Sequence, residues 1–170
     1  MAAVNESDCQ SDCRSDRESD DRIHTFGLLL EAHQRLTRLL DADLQGSDGI
    51  SLQTFEVLLR ISLSPDGRLI MSELAEQVAL STGGITRLAD RLEQDGLVAR
   101  QACPSDRRRM YLVLTGVGAN VLGSAIDHHS AALDEHLMSR VDPTDLIVFE
   151  RVLDVLRRPA SDVAADAAGR

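Results

Sequence analysis

The stretch STGGITRLADRLEQDG, residues 81–96, decides how the rest of this chain is read. Within it Ile85, Leu88, Ala89 and Leu92 recur at i, i+3, i+4 and i+7, one face of an α-helix, and Gly96 stands where such a helix stops. Ser81 is the residue type that opens a helix by accepting a backbone N–H. Thr86, Arg87, Asp90 and Arg91 lie off the apolar stripe and face away from whatever Ile85 packs on. The first turn, Ser81-Thr82-Gly83-Gly84, is small and polar, although each glycine costs about 1 kcal/mol of helix propensity against Ala. Such a tip lets the backbone come close to another surface.

The flanking sequence gives this helix its setting. Upstream, Glu73 to Val78 reads as a short helix with Leu74, Ala75 and Val78 inward and Ser72 as its expected N-cap, and only two or three residues separate it from Ser81. Downstream, two β-prone runs, 97–103 and 110–114, flank Pro104-Ser105-Asp106-Arg107-Arg108-Arg109, the pattern of a hairpin with a basic tip. Two short helices, a tight connection and a basic hairpin make a winged helix-turn-helix. Further out, Leu69-Ile70 allows only a short strand, and Ser51 caps a helix that ends at Ser64-Pro65-Asp66-Gly67. Long amphipathic helices are expected over 21–44, before Gly46-Ser47-Asp48-Gly49, and over 116–140, opened by Thr115. Asp142-Pro143 starts a last helix that is apolar on more than one face and so calls for a second copy of the chain. The expected architecture is mainly α with a small β-wing, six helices and a β-hairpin, dimerising through the N- and C-terminal helices. Residues 1–20 form an acidic tail expected to be disordered, 21–158 a single domain and 159–170 a flexible tail. Within the domain, 51–115 is the winged unit, and 21–44 and 116–157 supply the dimerisation helices.

Composition narrows the function. A chain of 170 residues with no Trp, one Tyr and three Phe must build an aliphatic core. Net charge is −10, yet the balance is local: residues 1–22 hold seven acids against three Arg, whereas 81–115 hold six Arg against four acids. Cys9, Cys13 and Cys103 show neither a disulfide framework nor metal-finger spacing. An apolar run long enough for a membrane and a signal peptide are both missing, so a cytoplasmic protein is expected. Without GxSxG, a phosphate loop or HExxH, neither an enzyme nor a cofactor is expected.

The residue types fit double-stranded DNA. Arg87 can pair bidentately with guanine and Thr86 can meet a base edge or a thymine methyl, while Arg91, one turn on, faces phosphate. Ser72 is a further phosphate candidate. Among Arg107, Arg108 and Arg109 at the wing, Arg108 can enter a narrow minor groove if Asp106 aims its guanidinium. Taken together, the run 81–98, then Asp106-Arg107-Arg108 and Leu112-Val113-Leu114-Thr115-Gly116, resembles the MarR family of bacterial transcriptional regulators, more loosely over about 22–158. The resemblance implies a homodimeric DNA-binding protein with Arg108 in the minor groove supported by Asp106. It also implies a small anionic aromatic ligand in a cleft where His33, Arg60 and His129 are the polar candidates.

Other readings stay open on the sequence. His24, His33, His128, His129 and His136, with Glu31 or Asp127, raise a metal-responsive regulator; no two His stand at i, i+4, and a His satisfied within a helix interface is the simpler account. A redox-responsive regulator using Cys103, a winged helix that contacts only protein, and repression as against activation are likewise undecided.

Overall fold

The computed structural model describes residues 6–78, 80–103, 106 and 109–158, with side chains from Asp20 onward. Six helices and three short strands follow in the order α1 (Glu6–Asp48), α2 (Leu52–Leu63), β1 (Arg68–Ile70), α3 (Met71–Gln77), α4 (Thr82–Gln94), β2 (Val98–Ala102), β3 (Met110–Leu114), α5 (Gly116–His136) and α6 (Pro143–Arg157). The strands form one antiparallel sheet in the order β1-β3-β2. Leu112 lies at its centre, opposite Leu69 on one side and Arg100 on the other.

Helix starts obey the capping chemistry. The Ser51 hydroxyl accepts the Thr54 N–H at 3.1 Å, Ser81 the Gly84 N–H at 3.1 Å and Thr115 the Gly118 N–H at 2.9 Å. Asp142 does the same for Thr144 at 2.8 Å, with Pro143 in the first turn. Each cap contributes about 1 kcal/mol. The end of α4 is equally well defined: the Gly96 N–H bonds the Glu93 carbonyl and the Leu97 N–H bonds the Leu92 carbonyl, with Gly96 at φ 72°.

Three expectations need correction. Ser72 is not the N-cap of α3; that position falls on Ile70, because β1 runs straight into the helix and the buried Ile70 ends the strand. The helix expected from 21 begins at Glu6, and the one expected to end at 44 continues to Asp48. Between Glu6 and Gly27 there is no Gly or Pro to stop a helix, propagation is cheap once a helix exists, and acids near its N-terminus favour it. The helix expected over 116–140 breaks at Leu137 into a short 3-10 turn, Met138–Arg140, where the Ser139 hydroxyl and Arg140 Nε both donate to the Glu135 carbonyl. The expected tail 159–170 lies outside the described residues.

The core gathers Leu44 of α1, Phe55, Leu58 and Ile61 of α2, Leu74 of α3, the stripe of α4, Leu112 of β3, and Leu122 and Ala125 of α5. α1 reaches this core only near its C-terminal end, where Asp41 accepts the Leu52 N–H at 2.8 Å. Its earlier apolar residues, Ile23, Phe26, Leu28, Leu29 and Leu30, are exposed, and α6 buries no residue at all.

One joint ties the winged unit to α5. Thr115 Oγ1 donates to the Gly96 carbonyl at 2.6 Å, and a Cβ placed on Gly118 would lie 1.9 Å from the Leu97 carbonyl oxygen. Backbone occupies that space, so nothing can swing aside. Gly118→Ala should therefore cost about 2–3 kcal/mol, read as a fall in the urea midpoint. Gly123→Ala, where a Cβ meets nothing within 4 Å, should be neutral or stabilising.

Candidate nucleic-acid interface

Burial of Ile85, Leu88, Ala89 and Leu92 turns the other side of α4 outward. Ser81, Thr82, Gly83, Thr86, Arg87 and Arg91 are all exposed. The glycines of the first turn play different parts. Gly84 is half-buried and a Cβ there would sit 3.3 Å from Ser81 Oγ, so its smallness serves the cap; at Gly83 a Cβ meets nothing within 4 Å. Thr86 Oγ1 donates back to the Thr82 carbonyl at 2.8 Å, which leaves its lone pairs outward.

A cleft of about 620 Å³ runs between α3, α4 and the base of the hairpin, and it brings Ser72, Ser81, Thr82, Thr86 and Arg109 together. Arg87 and Arg91 share a second, shallow groove with Asp90, Gly84 and Gln53 of α2. Gln53 was not anticipated from the sequence, because its neighbourhood with Arg87 depends on how α2 crosses α4.

At the hairpin, Asp106 is exposed, its carbonyl accepts the Arg109 N–H at 3.0 Å, and the Arg109 carbonyl accepts the Cys103 N–H at 3.0 Å. Arg107 and Arg108 lie outside the described residues, so the aiming of Arg108 by Asp106 stays an expectation. Arg109 pairs with Glu73 of α3 at 3.3 Å, both half exposed. Cys103 is 4% exposed, with its Sγ 3.6 Å from the Tyr111 hydroxyl, and the Arg68 guanidinium lies over the Tyr111 ring.

Charge on this face is arranged by a contact that the sequence did not reveal. Arg100 of β2 reaches α4, pairing with Asp90 and, at 2.7 Å, with Glu93. The guanidinium is held above its ordinary pKa, first through the hydrogen bond to Asp90. Two of the four acids counted in 81–115 are thereby engaged. Sequence separation of seven and ten residues across a turn carries no periodic signal that could have found this.

The histidines fall into two groups. His128 Nδ1 and the Ser124 hydroxyl bond the buried Asp48 carboxylate at 2.9 and 2.7 Å, and His136 Nε2 bonds Asp43 at 2.8 Å, so both tie α1 to α5. Among the described residues, no three His, Cys, Asp or Glu side chains gather into a group that could hold a metal. His129 instead stacks near Phe55, ring centroids 4.5 Å apart, in a cleft of about 260 Å³ shared with Arg60, Glu56 and Leu59. His33 is exposed on α1 and does not line that cleft. No helix among the described residues is long and apolar enough to cross a membrane.

Known proteins share this arrangement. A model of the MarR family matches residues 50–110. The HTH-type transcriptional regulator MhqR of Bacillus subtilis is 34% identical over 65 residues, covering 38% of this chain and 45% of that protein. The HTH-type transcriptional repressor YetL of the same bacterium is 27% identical over 136 residues, 80% of this chain and 81% of that one. The chain spans less than half the length of the first curated relatives that it matches. The structure of Sco3205, a MarR family transcriptional regulator from Streptomyces coelicolor in complex with DNA, superposes with a TM-score of 0.75 at 27% identity, covering 84% of this chain and 94% of that one.

Burial sets a pH dependence at His129. Desolvation lowers its pKa, opposed by the Glu56 charge. Below the ordinary imidazole value the unfolded chain therefore binds a proton that the folded one resists, and stability falls as pH falls. Replacing it, as in His129→Phe, should flatten the loss of melting temperature between about pH 7 and 5. An unchanged slope would place the acid sensitivity elsewhere.

Proposed function

We propose that the chain is a member of the MarR family and a sequence-specific DNA-binding transcriptional regulator, a repressor that holds a palindromic operator as a homodimer. The observation that carries this reading is the exposed N-terminal half of α4. A capped, small-sided tip stands beside Arg87 and Arg91, with Arg109 at the base of the hairpin across the adjoining cleft. A helix of that shape enters a major groove, whose base edges Thr86 and Arg87 can read, while Arg91, Ser72 and Arg109 face the phosphates. Arg107 and Arg108, which the sequence places next to Asp106, are assigned to the flanking minor groove from residue type alone, with Asp106 to aim Arg108.

The exposed apolar residues support the dimer. Ile147, Phe149, Val152 and Leu156 on α6, with Ile23 and Phe26 on α1, leave more unpartnered hydrocarbon than a stable monomer shows. A two-fold axis through these helices sets two copies of α4 about one helical turn of DNA apart, roughly 10 bp centre to centre. Occupying a promoter in that way excludes polymerase, and the protein acts where the chromosome is, in the cytoplasm.

The cleft between α2 and α5 supports a ligand-responsive form of this reading. Arg60 Nε and His129 Nδ1 are buried there with no hydrogen-bond partner among the described residues, beside the Phe55 ring. A small anionic aromatic molecule supplies what both lack. Benzoate added to the protein–DNA complex should release DNA from the wild type and not from Arg60→Met; equal release from both would refute this cleft.

Gel shifts with the DNA upstream of the gene test the main proposal. Affinity should fall steeply with salt, with a slope near −0.9 for each phosphate contacted. A protein that shifts no DNA at any salt would be a protein-contact module instead. Gly83→Ala separates fold from recognition: it should leave the protein as stable or up to about 1 kcal/mol more stable, since a Cβ meets nothing there, yet weaken operator binding by crowding the groove. Arg87→Ala should change the preferred sequence as well as the affinity; equal loss on all sequences would remove its base-reading role. In sedimentation, Phe149→Asp should convert a dimer into monomer.

A further inference from the structure

We propose that Arg100 is a positioning residue: it fixes the wing against α4 and takes up two carboxylates that would otherwise face DNA. The proposal rests on the DNA-binding reading above and goes beyond it. Thr86, Asp90 and Glu93 stand at i, i+4 and i+7 on α4, a single face directed at the hairpin. Arg100, in the middle of β2, touches all three. Its Nη1 donates to Glu93 Oε2 at 2.7 Å, its Nη2 donates to Asp90 Oδ1 and lies 3.5 Å from the Thr86 carbonyl, and its own backbone N–H donates to Glu93 Oε1 at 3.3 Å.

Only a planar fork can span acceptors on successive turns of a helix in this way; the single nitrogen of a lysine cannot. The guanidinium side chain is 22% exposed, against 58% for Asp90 and 41% for Glu93. The cation is thus the covered member of the group, turned toward its two carboxylates rather than toward solvent. Asp90 lines the same groove as Arg87 and Arg91, so an unpaired carboxylate there would repel the DNA that those two arginines approach. Because β2 is paired to β3 along its length, holding Arg100 also holds the strand that leads into the tip. Operator binding needs the helix and the tip in place together; non-specific binding needs only positive surface.

Arg100→Met and Arg100→Lys decide the matter, each measured for melting temperature, for amide hydrogen exchange over 98–114, and for affinity to operator and unrelated DNA across a salt series. Both should melt within a few degrees of the wild type, because exposed pairs contribute little. Arg100→Met should exchange faster in the hairpin with the interior of α4 unchanged, and should weaken operator binding tenfold or more while unrelated DNA changes severalfold less. Arg100→Lys should restore the affinity for unrelated DNA but not the preference for operator. Equal loss on both DNAs with a salt slope shallower by about one would make Arg100 a phosphate contact and overturn the proposal. Unchanged hairpin exchange would overturn it as well. A wild type that binds no DNA would sink the functional reading instead, and the exchange data would still decide whether Arg100 holds the wing.

Discussion

Burial of one stripe of α4 is the constraint on which the remaining structure depends. Ile85, Leu88, Ala89 and Leu92 are at most 2% exposed, and removing each of the three larger ones from water stabilises the fold by about 1.5–3 kcal/mol. That gain outweighs the helix propensity lost at Gly83 and Gly84. With 3.6 residues per turn, it also dictates which side chains point outward. Thr82, Thr86, Arg87 and Arg91 face solvent because their neighbours along the helix cannot.

The same core explains why the winged unit is continuous with one long helix and only loosely engaged with the others. Leu122 and Ala125 of α5 share the cluster that holds α4, and Thr115 and Gly118 bring the start of α5 against the turn that ends it. The buried Asp48, satisfied by His128 and Ser124, then fastens the end of α1 to α5. Farther from that joint, Ile23, Phe26 and Leu28 to Leu30 of α1 are exposed, and α6 buries no residue within the subunit. In the proposed dimer a second copy would cover this exposed hydrocarbon, and the connection through α5 would carry any change in the pairing of two copies to the two α4 tips.

Charge follows a comparable division. The whole chain is strongly acidic, which opposes nucleic acid at long range, while the surface around α4 is edited by pairing. Arg100 engages Asp90 and Glu93, and Arg109 engages Glu73, so the acids nearest the exposed arginines are balanced locally. What a polyanion would meet is determined over a Debye length of roughly 8 Å rather than by the total.

The periodic elements were legible in the sequence because each is set by local chemistry. The α4 stripe, the Ser51, Ser81, Thr115 and Asp142 caps, the Gly96 stop and the strands flanking the basic tip all depend on residues within a few positions of one another. The start of α3 was misplaced at Ser72 because the pairing of β1 with β3, a long-range contact, decided where the strand ended. Local sequence by itself determined which elements form and which face of each is apolar. Tertiary structure alone decided that Arg100 is spent on Asp90 and Glu93, that Gln53 stands beside Arg87, and that Arg60 and His129 share a cleft while His33 does not. The physical reason is that helical and strand periods are properties of a few consecutive residues, whereas ion pairs and clefts depend on crossing geometry, which only the packed core sets.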